Sequence, residues 1–144
     1  MKREPLLPPI GPESEPFFEG TRRGELRIQR CSESGRLIFP PRPMSPFAPH
    51  ATPTWMTVSG NGTIWSFAVP HPPLLPYYAD RAPYNVIVVA LDEDPRIRLV
   101  GNLVASEDGD IGEVDPETIS IGDAVRVVFQ RIGSGIHLPR WMVR

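Results

Sequence analysis

The chain holds a single cysteine, and the residues around it carry the most specific chemical pattern in the sequence. Cys31-Ser32-Glu33-Ser34-Gly35 has the outline of a zinc knuckle, Cys-x-x-Cys-Gly, with Ser34 where the second thiol belongs. Met44-Ser45-Pro46-Phe47-Ala48 has the outline of a second knuckle, with Ser45 and Ala48 at its two ligand positions. Structural zinc is held tetrahedrally by four cysteine or histidine ligands, and a hydroxyl or a methyl supplies none of the thiolate charge that binding needs. The pattern predicts the shape of a zinc ribbon with no zinc in it, and no other cofactor.

A thiol can also act as a nucleophile when an imidazole activates it, and His50, His71 and His137 are the available bases. That arrangement would make a stand-alone thioester enzyme. The knuckle context explains Cys31 more simply, as a ligand position, so no catalytic residue is assigned. Gly60-Asn61-Gly62 lacks the third glycine and the following helix of a dinucleotide loop. Gly133-Ser134-Gly135 lacks the flanking residue of a Gly-x-Ser-x-Gly elbow, and both glycine pairs read as turns. Asp92-Glu93-Asp94 lacks the alternating oxygen-ligand spacing of a calcium loop. His71 is different, because Val69-Pro70-His71-Pro72-Pro73 opens a proline-rich loop ending at Tyr77-Tyr78, where an imidazole can meet a ligand. Trp55, Trp65, Phe67 and Trp141 offer stacking faces, although aromatics at alternate strand positions read first as core.

The elements that position these residues follow from the spacing of apolar residues, prolines and glycines. Five prolines within residues 1–16 forbid a regular helix and make residues 1–15 an extended arm. Pro16 suits the first turn of a short helix that Gly24 ends, and its Phe17-Phe18 pair needs a surface to cover it. Residues 25–31 read as a strand entering the first knuckle, and 37–39 as its hairpin mate. Residues 40–54 are stiffened by six prolines, and this rigidity can replace some of what a metal would contribute. From residue 55 the pattern is one of strands and turns, over 55–59, 62–70, 85–91, 97–104, 124–132 and 137–141, which predicts a small closed barrel. Val86-Ile87-Val88-Val89-Ala90-Leu91 is expected to be buried on both faces. Asp115 is expected to cap a helical turn opened by Pro116, and 107–117 to be a solvated acidic loop.

At 144 residues the chain suits one compact unit or two small modules sharing a core, and a domain of this size buries about two thirds of its unfolded surface. No apolar run is long enough to span a membrane, and Met1-Lys2-Arg3-Glu4 lacks the apolar region of a secretory signal, so a cytoplasmic protein is expected. The net charge is -2, and the basic residues, nearly all arginine, are dispersed rather than gathered in the stripe that nucleic-acid binders use. The first fifty residues carry eight basic against six acidic side chains, and the remainder seven against eleven. The N-terminal part is therefore the better place for an anionic ligand.

Several strings carry a resemblance that spacing alone does not. Glu15-Pro16-Phe17-Phe18-Glu19-Gly20, Arg23-Gly24-Glu25-Leu26-Arg27-Ile28-Gln29-Arg30-Cys31 and Phe39-Pro40-Pro41-Arg42-Pro43-Met44 resemble the start of the acyl-CoA-associated family catalogued as domain of unknown function thirty-five. Gly62-Thr63-Ile64-Trp65-Ser66-Phe67, Pro83-Tyr84-Asn85-Val86, Gly101-Asn102-Leu103, Ile121-Gly122-Asp123-Ala124-Val125-Arg126-Val127-Val128-Phe129 and Leu138-Pro139-Arg140 are similar to its second half. The resemblance, over roughly residues 14–144, implies a mainly β protein. In it an extended arm (1–15) leads to a short helix and a degenerate rubredoxin-like zinc ribbon (16–54), then to a five-stranded OB-fold barrel (55–144).

It further implies a non-catalytic accessory subunit. Such a subunit docks on a thiolase-like enzyme, a thiolase-related aldolase or an enoyl-CoA hydratase and helps to hold the CoA thioester. On that reading Phe39, Pro40, Pro41 and Arg42 line one side of a groove between ribbon and barrel, with Phe67 and His71 on the other. Arg42 is suited to a CoA phosphate, since guanidinium binds phosphate bidentately. Phe17 and Phe18 are the candidate anchors for the partner enzyme. The alternatives are a single-stranded nucleic-acid binder, which OB-folds often are, and the thioester enzyme built on Cys31. The acidic barrel half argues against the first of these.

Overall fold

The protein is described by a computed structural model over residues 4–144, so the N-terminal reading at Met1-Lys2-Arg3 lies outside the described residues. The first element is α1 (Glu15–Arg22), which has Pro16 in its first turn and Glu15 and Arg22 at the ends that suit their charges. Glu19 accepts bonds from Arg22 and Arg23 and ties down the last turn. Gly24 follows at φ +76°, a left-handed conformation that turns the chain into the next strand at little steric cost. The helix packs against the first and the last strands of the chain, and Phe17 is 8% exposed.

β1 (Leu26–Cys31), β2 (Leu37–Ile38) and β3 (Pro53–Val58) form a three-stranded sheet in the order β2-β1-β3. The segment 55–59, expected as a barrel strand, is therefore part of the ribbon sheet. It runs antiparallel to β1 in a six-residue register from Leu26↔Val58 to Cys31↔Pro53. That ladder satisfies the backbone of β1 on the side away from β2 and places Leu26, Ile28 and Val58 in the core.

Five strands make the barrel: β4 (Asn61–Ala68), β5 (Val86–Leu91), β6 (Arg98–Gly101), β7 (Ala124–Gly133) and β8 (Ile136–Val143), in the order β6-β5-β4-β7-β8. This is the OB-fold arrangement, in which the last strand returns to the third. Here the return is a parallel bridge, Leu103↔Trp141, with Val104 N–H donating to the Trp141 carbonyl at 2.8 Å and Trp141 N–H to the Asn102 carbonyl at 3.1 Å. A polar chain reinforces the seam. Asn85 is fully buried and bonds both backbone groups of Leu103, while the Asn102 amide donates to the Asn85 carbonyl at 2.6 Å.

Two short helical pieces interrupt the barrel. α2 (Pro76–Ala79) lies in the loop expected to be only proline-rich, and a 3-10 turn (Pro116–Thr118) is capped by Asp115 as anticipated, its carboxylate accepting the Glu117 N–H at 3.0 Å. β5 is interior to the sheet, but its outward residues Val86 and Val88 are half-exposed, so burial on both faces holds for only part of the strand. One core runs through both sheets, from Leu26, Ile28 and Leu37 of the ribbon to Ile64, Ile87, Val89, Leu99, Val125 and Trp141 of the barrel. No described helix is long and apolar enough to cross a membrane.

Candidate functional site

The barrel seam is held only past the end of β6, and alongside β6 the gap to β8 is an open groove of about 420 Å³. β6 supplies one wall with Leu99, Val100 and Gly101, and β8 the other with Leu138, Pro139 and Arg140. Phe17, Phe18 and Phe39 close the ribbon end. The Phe17 ring stands edge-on to Phe18 at 5.2 Å and tilted to Phe39 at 6.2 Å. Tyr78, carried by α2, packs on Tyr84 at 5.8 Å at the barrel end. Pro5 and Leu6 of the arm also line the groove. Its surface is mostly apolar, which suits an extended, weakly polar chain.

Arg140 is the charged group at this groove, and it is 8% exposed. Its guanidinium donates to Asn102 Oδ1 at 2.5 Å and to Gln130 Oε1 at 3.2 Å, both neutral oxygens. Burial pushes the group below the usual arginine range, and the neighbouring Tyr77, Tyr78 and Asp110 act in the opposite direction. Gly101 sits where a Cβ would meet the buried Trp141 indole nitrogen at 2.9 Å, so the groove wall approaches the core tryptophan too closely for a side chain.

Phe39 also lines a second, smaller pocket of about 170 Å³ at the junction of ribbon and barrel. Here Arg36 and Arg42 of the ribbon meet Arg96 of the barrel, against the single carboxylate of Asp94. Arg96 holds Asp94 through contacts of 2.9 and 3.0 Å, and these bonds, with a smaller contribution from Arg36, keep the Asp94 carboxyl below the usual aspartate range. Arg36 lies over the Phe47 ring at 3.9 Å. The backbone of Arg42 is clamped by the buried Gln29, which accepts its N–H at 2.7 Å and donates to its carbonyl at 2.9 Å. The exposed guanidinium of Arg42 is thus carried on a fixed stretch of chain. An apolar groove and an arginine pocket accordingly lie on either side of one phenylalanine.

Of the residues expected to bind ligand, the structure brings Phe39 and Arg42 to this junction and leaves Phe67 and His71 away from it. Phe67 faces Ile87 across the β4–β5 ladder and packs on the core, and His71 is exposed in the bend after β4. The opposite wall is made by β6, β8 and the tyrosines instead. Phe17 is core rather than free surface, and Phe18 is half-buried at the groove. Sequence reasoning missed the roles of Tyr78, Tyr84, Asn102 and Arg140. The strings Gly101-Asn102-Leu103 and Leu138-Pro139-Arg140 were visible, but nothing local shows that the chain fold places them face to face across the seam.

Cys31 is sealed in a small cluster with Ile38, Ala48 and Ala51. Its sulfur receives the Ser34 N–H at 3.4 Å. Hydrogen bonds from Ser34 first, and then from Ser45, draw the thiol down to about 7. No histidine is among these partners, and a buried thiol without an adjoining base is not poised for acyl transfer. One thiol, two hydroxyls and a methyl do not make a structural zinc site. Among the described residues no group of three or more metal-ligating side chains is present.

With this geometry in place, comparison with known proteins is informative. Residues 18–44 match the family described as ChsH2, rubredoxin-like zinc ribbon domain, and residues 55–130 the family described as ChsH2, C-terminal OB-fold domain. A protein of Mycobacterium tuberculosis named 3-oxo-4,17-pregnadiene-20-carboxyl-CoA hydratase alpha subunit is 31% identical over 87% of this chain, which spans 34% of that protein's length. A DUF35 domain-containing scaffold protein of Methanothermobacter thermautotrophicus is 31% identical over 76% of this chain and 75% of its own. A solved structure described as the Ltp2-ChsH2(DUF35) aldolase superposes with a TM-score of 0.80 at 30% identity, covering 95% of this chain and 98% of that one.

Proposed function

The chain belongs to the DUF35 family, in the ChsH2 form that joins a rubredoxin-like ribbon to an OB-fold, and from that premise we propose that it is a cytoplasmic, non-catalytic accessory subunit of an acyl-CoA enzyme. Its partner is a thiolase-like enzyme, an aldolase or an enoyl-CoA hydratase, and the bond-making residues belong to that partner. This chain contributes part of the thioester site. The observation that carries the reading is the pairing of an apolar groove with an arginine pocket across Phe39. An acyl-CoA has the matching parts, a long neutral pantetheine arm and a cluster of phosphates. The arm fits between β6 and β8, and Arg36, Arg42 and Arg96 face the phosphates, which guanidinium recognises through charge-assisted bonds.

The names of the relatives support the same reading, since they include a CoA hydratase subunit, an aldolase complex and a scaffold protein. The nucleic-acid alternative needs free stacking faces. Trp65 is 50% exposed, but Arg98 covers its ring at 3.8 Å.

The test is acyl-CoA binding by calorimetry on the complex that the chain forms with its enzyme partner. A charge-assisted bond contributes about 1.5–3 kcal/mol, so the variant Arg36→Gln/Arg42→Gln/Arg96→Gln should bind acyl-CoA at least tenfold more weakly. Its thermal midpoint should fall only modestly, by the loss of the Asp94 ion pairing, because all three guanidiniums are largely at the surface. Equal affinity in the two proteins would remove the phosphates from this pocket.

A further inference from the structure

The two degenerate knuckles fold as though a metal lay between them. In the first, Cys31 N–H donates to the Arg36 carbonyl at 2.8 Å and Gly35 N–H to the Cys31 carbonyl at 2.9 Å, with Gly35 at φ +73°. This tight turn aims the Ser34 N–H at the sulfur. In the second, Phe47 N–H donates to Ser45 Oγ at 3.1 Å, and Ala51 N–H to the Ala48 carbonyl at 3.2 Å. Ser45 is buried at the start of this turn, and Ala48 packs into the same cluster as Cys31. Both knuckles thus border the one buried thiol, the first through the Ser34 N–H and the second through Ala48, with two serines and an alanine in place of three thiolates.

We infer that this ribbon is closed by hydrogen bonds to a buried thiol instead of by zinc, and that its four ligand positions keep the convergence from which cysteines would rebuild a tetrahedral metal site. Three features supply what the metal otherwise would. β1 is paired over its whole length with β3, and Leu26, Ile28 and Leu37 are anchored in the core shared with the barrel. The connection over 40–53 is stiffened by Pro40, Pro41, Pro43, Pro46, Pro49 and Pro53, which lowers the entropy of the unfolded chain. Small isolated zinc modules have no such support, which is why they unfold without metal. In this chain the ribbon is a wall of the groove, so its shape is held independently of metal supply.

The experiment has two arms. The full wild-type chain, purified without chelator, should carry no stoichiometric zinc by elemental analysis, and its thermal midpoint should not move when chelator is added. One zinc per chain, or a fall in the midpoint with chelator, would overturn the inference. In the second arm, Ser34→Cys/Ser45→Cys/Ala48→Cys is titrated with Co²⁺. One ion per chain with the intense visible bands of tetrahedral thiolate cobalt, and a midpoint that rises with Zn²⁺, is the expected result. A folded variant that binds no Co²⁺, or binds it with a weak octahedral spectrum, would show that the positions do not converge. Should the triple variant fail to fold, Ser34→Cys/Ser45→Cys gives three thiolates and the same spectroscopic decision.

Discussion

Arg140 shows how one residue can serve both the seam and the site. Its guanidinium bridges Asn102 near β6 and Gln130 on β7, and the Asn102 amide passes the connection to Asn85. Arg140→Leu removes both bonds and leaves the Asn102 oxygen short of a donor, so chemical denaturation should show a loss of about 1–3 kcal/mol; an unchanged midpoint would mean that the bridge alone closes the barrel. Asp94 gives a pH signature, because its folded carboxyl is held below the ordinary aspartate range mainly by Arg96 and also by Arg36 of the ribbon. A depressed carboxyl stabilises above the unfolded value and loses that contribution as pH falls through the folded one. Wild type should therefore melt higher than Asp94→Asn at neutral pH, and the difference should close in acid; a gap constant down to strongly acid pH would rule the ion cluster out. At this scale the sequence placed Arg42 and Phe39 at the ribbon–barrel junction, where both line the pocket, because both stand in the distinctive proline-rich string. It passed over Arg36, Arg96 and Arg140: Arg96 pairs locally with Asp94, but its meeting with the ribbon arginines, like the Arg140–Asn102 bond, joins distant parts of the chain and leaves no local trace.

Among the elements, α1 has two tasks that a pair of substitutions separates. Phe17 is in the core and Phe18 is half-buried at the groove. Phe17→Ala should cost about 3–5 kcal/mol of stability, the usual effect of removing a buried ring, whereas Phe18→Ala should cost much less and weaken acyl-CoA binding by the complex. Equal destabilisation by the two, with no loss of binding, would make the helix purely structural. The helix itself was legible because Pro16 and Gly24 mark its ends. β3 was legible as a strand but not as a ribbon strand, since alternation reports which residues face a core and says nothing of which neighbour supplies the hydrogen bonds. α2 was hidden by its prolines, although Pro76 at a helix start and the Tyr77-Tyr78 pair that follows are compatible signals.

For the whole molecule, the shared core makes ribbon and barrel one folding unit, with the groove on their common face. A small barrel was readable from the spacing of strands and turns, which counted 55–59 among its strands, whereas the five-stranded OB-fold came from the family resemblance. The groove was not, because it exists only where β6 and β8 fail to close. The most direct measurement is co-purification of the tagged chain from its native host, followed by mass spectrometry of the captured proteins and acyl-CoA turnover assays on the complex and on the chain alone. The account predicts a stoichiometric thiolase-like, aldolase or hydratase subunit, turnover by the complex, and none by the isolated chain. Thioester turnover by the isolated chain, with no partner recovered and activity lost in Cys31→Ser, would contradict it.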